Sequence, residues 1–366
     1  MSTLRVNTID NLSVAGLANQ IFYRDSNNVV SGSNNLTFDG TNLYIRGNIV
    51  GSSPNLIING AMEVDQHNAY QPVSLNNSSA KVCDRWIASA AGGLNTGTAT
   101  AQSIGDAPPG FVTSLKYTVV NAKIPTTTDG FYVYQTIEGI TLVDFAFGTP
   151  SAQPISLSFW VKSSLTGNFS GHVRTNITLF SPGFPPEGWR TYIFTYTIDA
   201  PNTWEYKTIT IPGDTSLVPS YSNGIGMTVL FDLGSGPTWI APANNTWLPN
   251  NYLRSANSIN LISTPGATFQ VTGVQLEKAS VATPFKRRLW MEELDLCQRY
   301  YVKTGGSTVV FNGNLYTSVQ FPRTMRATPD LTLSAAGIYG LSVDANGFHA
   351  ITSITTGSSY IANADI

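Results

Sequence analysis

The sequence predicts an all-β protein, built around an antiparallel β-sandwich of the jelly-roll type. At least seven central segments alternate apolar side chains with Ser, Thr or Lys, as half-buried antiparallel strands do. Gly, Pro and Asn fill the gaps between these segments, and no helical period separates them. We expect an N-terminal β-arm, a short linker helix and a small C-terminal β-domain to flank the sandwich.

Residues 1–54 form the predicted arm. The stretch 35–47 contains two period-two strands around Asp39-Gly40, which is a strong hairpin signal. So short a segment cannot bury a core alone, and we expect other chains to stabilise it. A loosely attached hairpin is the alternative.

Residues 55–286 form the predicted sandwich, whose strands are expected at 114–120, 131–137, 155–162, 192–198, 204–211, 226–233 and 268–276. The linker helix is expected over 287–301, where apolar residues recur at helical spacing. Trp290 is expected to pack this helix against the sandwich. Residues 302–366 return to strand patterns around an Asn312-Gly313 turn and predict a β-domain assembled with symmetry mates.

Composition narrows the function classes. Only 11% of residues are charged, against about 25% in an average globular protein. Such a neutral polar surface suits virion proteins and sugar-facing surfaces. The net charge of −2 gives no field that would attract nucleic acid. We find no signal peptide and no apolar run long enough for membrane insertion, and we expect neither.

The residue types that carry common enzyme chemistry are scattered. His67, His172 and His349 are isolated, and we expect each to be a surface or loop residue. Cys83 and Cys297 are expected to be buried reduced thiols, with a disulfide as the alternative. No zinc cluster, nucleophile elbow or phosphate-binding loop is present in the sequence. We predict no catalytic residues and no cofactor. A structural Ca²⁺ held by scattered oxygens stays open.

Five segments in order resemble bacteriophage tail-fibre and receptor-binding proteins with a carbohydrate-binding-module-like jelly roll: 55–64, 83–86, 158–163, 203–215 and 231–236. The stretch 271–285, followed by 291–301, resembles the junction at the end of that jelly roll, although 285–291 is more basic and bulkier than the family pattern. The resemblance covers roughly 55–301. It implies a virion location, with the N-terminus attached to tail, collar or capsid proteins. It also implies a homotrimer whose C-terminal domain closes the tip, and a host surface polysaccharide as the partner.

Seven Trp and 16 Tyr supply candidate sugar contacts. Trp86, Trp160 and Trp204 lie in strand-like motifs and are expected in the core. Aromatic residues in turn-rich stretches form the candidate glycan-binding set: Trp189, Tyr221, Trp239, Trp247 and Tyr252. The alternative is that these side chains cover the sandwich edge or fill a subunit interface.

The run 286–288, Lys-Arg-Arg, is expected to solvate the helix start or form intersubunit ion pairs rather than bind nucleic acid. The sequence therefore favours a fibre protein that adheres to a host glycan. A purely structural collar, capsid or tail fibre is the first alternative. A glycan-cleaving tailspike enzyme is the second, because 22 acidic residues could supply a carboxylate pair. The chain lacks the short repeats of a β-helix tailspike.

Overall fold

A computed structural model describes the strands within 20–49 and residues 54–92, 98–178, 187–305, 309–311, 317–334, 338–352 and 356–365. The chain divides into two units, 1–53 and 54–366. The first unit contains an antiparallel sheet in the order β1 (Gln20–Arg24), β2 (Val30–Phe38), β3 (Leu43–Ile45), β4 (Asn48–Ile49). The predicted hairpin is confirmed, because β2 pairs with β3 and Leu36 lies opposite Ile45. The turns at Asp39-Gly40 and Asn312-Gly313 lie outside the described residues.

Two antiparallel sheets make up the sandwich in the second unit, as predicted. Its strands are β5 (Val73–Leu75), β6 (Ser79–Cys83), β7 (Trp86–Ala91), β8 (Ala99–Ile104), β9 (Ser114–Val119), β10 (Gly130–Glu138), β11 (Ile155–Ser163), β12 (Gly167–Thr178), β13 (Glu187–Ile198), β14 (Glu205–Ile211), β15 (Ile225–Asp232), β16 (Trp247–Pro249) and β17 (Thr268–Glu277). One sheet has seven strands in the order β16-β13-β12-β15-β10-β7-β6. The other has six, in the order β14-β11-β17-β9-β8-β5.

Period-two alternation puts the apolar faces of both sheets inward. From the seven-stranded sheet, Phe131, Phe194 and Phe231 enter the core, and from the six-stranded sheet Phe159 and Phe269 meet them. The rings of Phe159 and Phe231 lie 4.9 Å apart in an edge-to-face contact. Short 3-10 helices over Gly139–Phe145, Pro237–Trp239 and Leu261–Ser263 connect the strands.

Buried side-chain amides and a carboxylate fix the start and end of the sandwich. The Asn55 side chain accepts from the Leu276 N–H at 3.0 Å and donates to the Val274 carbonyl at 3.1 Å. After β17, the Glu277 carboxylate accepts from the Thr283 N–H at 2.7 Å. These contacts join the first residues of the sandwich to its last strand and fix the turn that leads toward the helix.

That helix, α1, spans Trp290–Gln298 and is shorter than predicted, because Leu289 precedes it and Tyr301 begins a strand. The expectation for Trp290 was wrong, since its side chain is 53% exposed. Cys297 is the helical side chain that enters the interior. Cys83 and Cys297 are both buried and free, as predicted.

The C-terminal region forms small antiparallel sheets from β18 (Tyr301–Lys303), β19 (Val309–Phe311), β20 (Thr317–Gln320), β21 (Asp330–Leu333), β22 (Ile338–Val343), β23 (Gly347–Thr352), β24 (Thr356–Ser358) and β25 (Tyr360–Asn363). Their orders are β18-β25-β21, β19-β24 and β20-β23-β22. Phe321, Phe348 and Tyr360 form the centre of its own apolar cluster.

Buried charges join this region to the sandwich. Arg299 donates to both oxygens of the Glu138 carboxylate, each at 2.8 Å. The Arg85 guanidinium lies 3.5 Å from the centre of the Tyr300 ring and donates to the Thr136 carbonyl at 2.7 Å. Strand β10 is therefore held from two sides by residues that contact the C-terminal region.

The burial of several side chains differs from the sequence-based expectation. Trp86 is buried as predicted, whereas Trp160 and Trp204 are only half-buried. Burial of His172 inside β12 contradicts its expected surface position. The run 286–288 was expected to be solvated or to form intersubunit ion pairs, but its three residues form ion pairs within the chain. Lys286 pairs with Glu277, Arg287 with Glu63 and Arg288 with Glu293. The longest α-helix in the described ranges has nine residues, too few to cross a bilayer.

Candidate functional site

A cleft lies on the outer face of the seven-stranded sheet. Alternation along β10 sends Phe131 and Val133 into the core and leaves Tyr132 and Tyr134 on the outside, with Thr136 further along. The two tyrosine rings lie 5.6 Å apart and meet at 64°. This strand therefore forms an aromatic floor, flanked on both sides by other strands.

Strand register brings polar groups beside that floor. Tyr134 lies opposite Leu230 of β15, which lies opposite His172 of β12. One step along, Thr228 of β15 lies opposite Arg174 of β12. Residues far apart in the sequence therefore form adjacent rows on one surface.

The connection between β15 and β16, and the residues after β16, wall the cleft with Trp239, Asn251 and Leu253. The Trp239 indole N–H donates to the Thr128 carbonyl at 3.0 Å. The backbone carbonyl of Trp239 accepts from the Leu253 N–H at 2.9 Å. Buried Arg254 holds this segment to Asp232, with 3.6 Å between Nε and a carboxylate oxygen. The wall is thus fixed before any ligand arrives.

Three buried polar atoms at the cleft have no hydrogen-bond partner among the described residues: His172 Nε2, Arg174 Nε and Thr228 Oγ1. Buried polar atoms in folded proteins are almost always paired. His172 Nδ1 lies 2.7 Å from the Tyr252 carbonyl oxygen, so Nδ1 carries the proton and donates. Nε2 is then left as an acceptor, which suits a hydroxyl group.

Burial sets the charge states here. It lowers the pKa of His172 to about 3, with the nearby Arg174 charge adding to the effect, so the imidazole is neutral at pH 7. Burial raises the pKa of Tyr134 to about 12, which keeps the phenol protonated. Burial also lowers the pKa of Arg174 from its usual value, but the guanidinium stays charged.

The cleft has a volume of about 280 Å³. That volume is near the lower end of the range for small-molecule sites, so the cleft suits a small ligand. The described residues that line it include no Asp or Glu. Nor do the described residues include a group of three His, Cys, Asp or Glu placed to hold a metal ion.

The five aromatic residues selected from the sequence lie in different places. Trp239 lines the cleft, and Tyr252 supplies the carbonyl that orients His172. Trp189 lies in β13 rather than in a turn, with its ring 5.7 Å from the Arg174 guanidinium. Trp247 packs against Phe147 and Tyr192, beside the core.

Tyr221 is 37% exposed in the connection before β15, next to a residue that bonds to the Asn176 carbonyl. A glycan contact by any of the five stays a prediction. In the structure, Trp189, Trp239 and Tyr252 lie around one cleft. Trp247 packs at the edge of the sheet instead.

Sequence reasoning missed the floor residues, although the signal was present. In Gly130–Glu138, tyrosines occupy the face opposite to the core-facing Phe131 and Val133. An exposed strand face that repeats Tyr is unusual unless something covers it. His172 and Arg174 share the outer face of β12 in the same way.

No model of a known protein family matches the chain, and no curated protein is detectably similar to it in sequence. Solved structures do match. A candidate sugar-binding protein from Bacteroides thetaiotaomicron is 12% identical, with a TM-score of 0.34, over 62% of this chain and 100% of that one. The enzymatically active domain of tailspike protein 4 from bacteriophage CBA120 is 14% identical, with a TM-score of 0.30, over 61% of this chain and 21% of that one.

A family 22 carbohydrate-binding module of Clostridium thermocellum Xyn10B is 12% identical, with a TM-score of 0.29. It is matched over 60% of this chain and 99% of that one. The strand order of the chain itself defines its architecture. Two antiparallel sheets, of six and seven strands, pack together, and the cleft lies on the outer face of the seven-stranded sheet.

Proposed function

We propose that the cleft binds a carbohydrate, and that the protein is a bacteriophage fibre that adheres to a polysaccharide of the host surface. The observation that carries the proposal is the pairing of tyrosine rings with buried, unpaired polar atoms on one floor. Aromatic rings pack against the C–H faces of sugars, while hydroxyl groups need donors and acceptors. The neutral His172 acceptor, the Thr228 hydroxyl and the Arg174 donor supply both.

The virion role rests on other features. The chain combines a very low charge content with a separate N-terminal unit of paired strands. The order of its sequence motifs also resembles that of phage receptor-binding proteins. We propose that the first unit attaches to tail, collar or capsid proteins, and that the main unit presents the cleft to the host.

A homotrimer completes the proposal. Three consecutive large apolar side chains at the start of α1, Leu289, Trp290 and Met291, are 72%, 53% and 63% exposed. We call these three residues the helix patch. An apolar surface of this kind suits a subunit interface. Three cleft sites on one particle bind a repetitive polysaccharide with avidity, so each site can be weak.

An array of bacterial surface polysaccharides, probed with the full chain, tests the carbohydrate proposal. We expect retention on at least one polysaccharide, and loss of that retention in Tyr132→Ala/Tyr134→Ala. The control is Trp204→Ala/Tyr206→Ala, which removes a half-buried indole just before β14 and an exposed tyrosine within β14, on the other sheet. Retention that survives the cleft variant but not the control would place the binding surface on the other sheet.

A further inference from the structure

The Arg174 side chain is paired differently from other arginines of the main unit. Arg85, Arg190 and Arg254 each pair with an Asp that is itself mostly buried. Arg174 forms no ion pair with a described residue. Arg326 also lacks a carboxylate partner, but it donates to three backbone carbonyls.

The hydrogen bonds of Arg174 leave one edge of its guanidinium unused. Nη1 donates to the Asn251 side-chain oxygen at 2.7 Å, and Nε has no partner. The unused edge consists of Nε and Nη2. Elsewhere in this protein the same edge holds a carboxylate: Nε and Nη2 of Arg190 reach Asp214 at 2.9 and 3.2 Å, and those of Arg299 reach Glu138 at 2.8 Å each.

The surroundings of Arg174 supply no negative charge. The described residues lining the cleft are neutral apart from Arg174 itself. The Trp189 ring lies at 5.7 Å from the guanidinium, within the range of a cation–π contact. A positive charge in a neutral, partly dehydrated cleft attracts an anion more strongly than a charge in open solvent does.

We infer that the cleft selects a sugar residue that carries a carboxylate, which the Nε–Nη2 edge of Arg174 receives in a bidentate pair. This inference rests on the proposed carbohydrate function and names its ligand class. Planar carboxylates fit this edge through two parallel N–H···O bonds. The tyrosine floor and His172 Nε2 then contact the ring and hydroxyl groups of the same sugar.

Nε is closed off from water, so a neighbouring group must shift as the carboxylate enters. The Trp189 ring, which is 39% exposed and centred 5.7 Å from the guanidinium, is one such neighbour.

Saturation-transfer NMR on the full chain tests the inference with matched pairs of methyl glycosides. The probes are glucuronate against glucose and galacturonate against galactose. We expect at least one acidic sugar to bind about tenfold more tightly than its neutral partner. Arg174→Gln reduces that preference to about twofold or less, and Arg323→Gln, at an exposed surface pair, leaves it unchanged.

Equal binding of acidic and neutral sugars, abolished by Tyr132→Ala/Tyr134→Ala, would overturn the inference and leave the carbohydrate function standing. An acidic preference that persists in folded Arg174→Gln would also overturn it. Binding of none of the four glycosides at millimolar concentration would do the same, while the polysaccharide array judges the wider function separately. If Arg174→Gln does not fold, Arg174→Lys replaces it, because lysine keeps the charge but cannot form the bidentate pair.

Discussion

The Thr283 hydroxyl and backbone N–H both bind the Glu277 carboxylate, at 2.8 and 2.7 Å, and so fold the chain back after the last strand of the sandwich. Glu277 is fully buried, and Lys286 approaches the same carboxylate at 3.1 Å. The Gln275 side-chain amide also donates to it at 3.1 Å, so four protein donors take the place of water around the carboxylate. This arrangement explains why an acidic residue ends a strand that is otherwise buried along most of its length.

Glu277→Leu is expected to lower the free energy of unfolding by about 3 kcal/mol, because it leaves buried donors unpaired beside the Lys286 charge. Chemical denaturation followed by tryptophan fluorescence measures the change. Asp199→Leu, at an exposed carboxylate, is the control and is expected to change stability by about 0.5 kcal/mol or less. Equal losses in the two variants would show that the buried carboxylate has no special role.

Tyr134→Ala is expected to weaken binding of a retained polysaccharide about tenfold, since it removes the central ring of the cleft floor. Affinity electrophoresis against that polysaccharide measures the loss. Tyr206→Ala, at a 42% exposed tyrosine on the other sheet, is expected to leave the affinity unchanged. A larger loss in Tyr206→Ala than in Tyr134→Ala would contradict the assignment of the cleft.

Stability should depend on pH through His172. Its pKa of about 3 in the folded state lies below the value near 6.5 expected in the unfolded state. The unfolded state therefore binds more protons between these values, and stability rises with pH across that window. His172→Gln is expected to flatten the rise, by up to about 1.4 kcal/mol per pH unit near pH 5.

Urea unfolding of both proteins between pH 4 and pH 7 measures this difference. His67 and Asp84, whose folded-state pKa values are also shifted by burial, are present in both proteins and cancel in the comparison. Parallel curves for the two proteins would mean that His172 has the same pKa in the folded and unfolded states, and would contradict the prediction.

Trp290→Asp is expected to dissociate the proposed trimer without unfolding the chain, because it places a charge in the helix patch. Light scattering coupled to size exclusion measures the mass, which should fall from three times 39.4 kDa to 39.4 kDa. Ile124→Asp, at a residue 82% exposed outside the helix patch, is expected to remain trimeric. A wild-type protein that is already monomeric would refute the trimer.

The fold was largely predictable, because alternation survives wherever one strand face enters the core. The predicted strands 155–162 and 268–276 differ from β11 and β17 by a single residue at one end. Strands β5 to β8 and β16 were not predicted, although β8 alternates buried and half-buried residues along its whole length. Strand β12 was also missed, since Gly171 interrupts it and its outer face carries Ser170, His172 and Arg174. That glycine is required: a Cβ there would lie 2.0 Å from the Leu230 carbonyl oxygen.

The candidate site was only partly predictable, for a related reason. Turn-rich composition drew attention to Trp239, which lies in the wall of the cleft, and its contact with a glycan stays a prediction. The floor of the cleft is formed by three strands that are adjacent in the sheet in the order β12-β15-β10. No local sequence pattern encodes which strands are neighbours, so the floor could not be predicted. Trp247, in contrast, sits in a turn-rich stretch but packs against Phe147, because β16 pairs with the sheet edge.

Strand β10 has a mechanical consequence. It carries Tyr132 and Tyr134 in the cleft and then Glu138, which is clamped by Arg299 of the C-terminal region. Strand β10 is hydrogen-bonded to β7 on one side and to β15 on the other. On the proposed function, a force applied along this strand by a bound polysaccharide would have to shear both ladders together. The Glu138–Arg299 ion pair would resist the same displacement, so the strength of attachment would depend on this strand as well as on affinity.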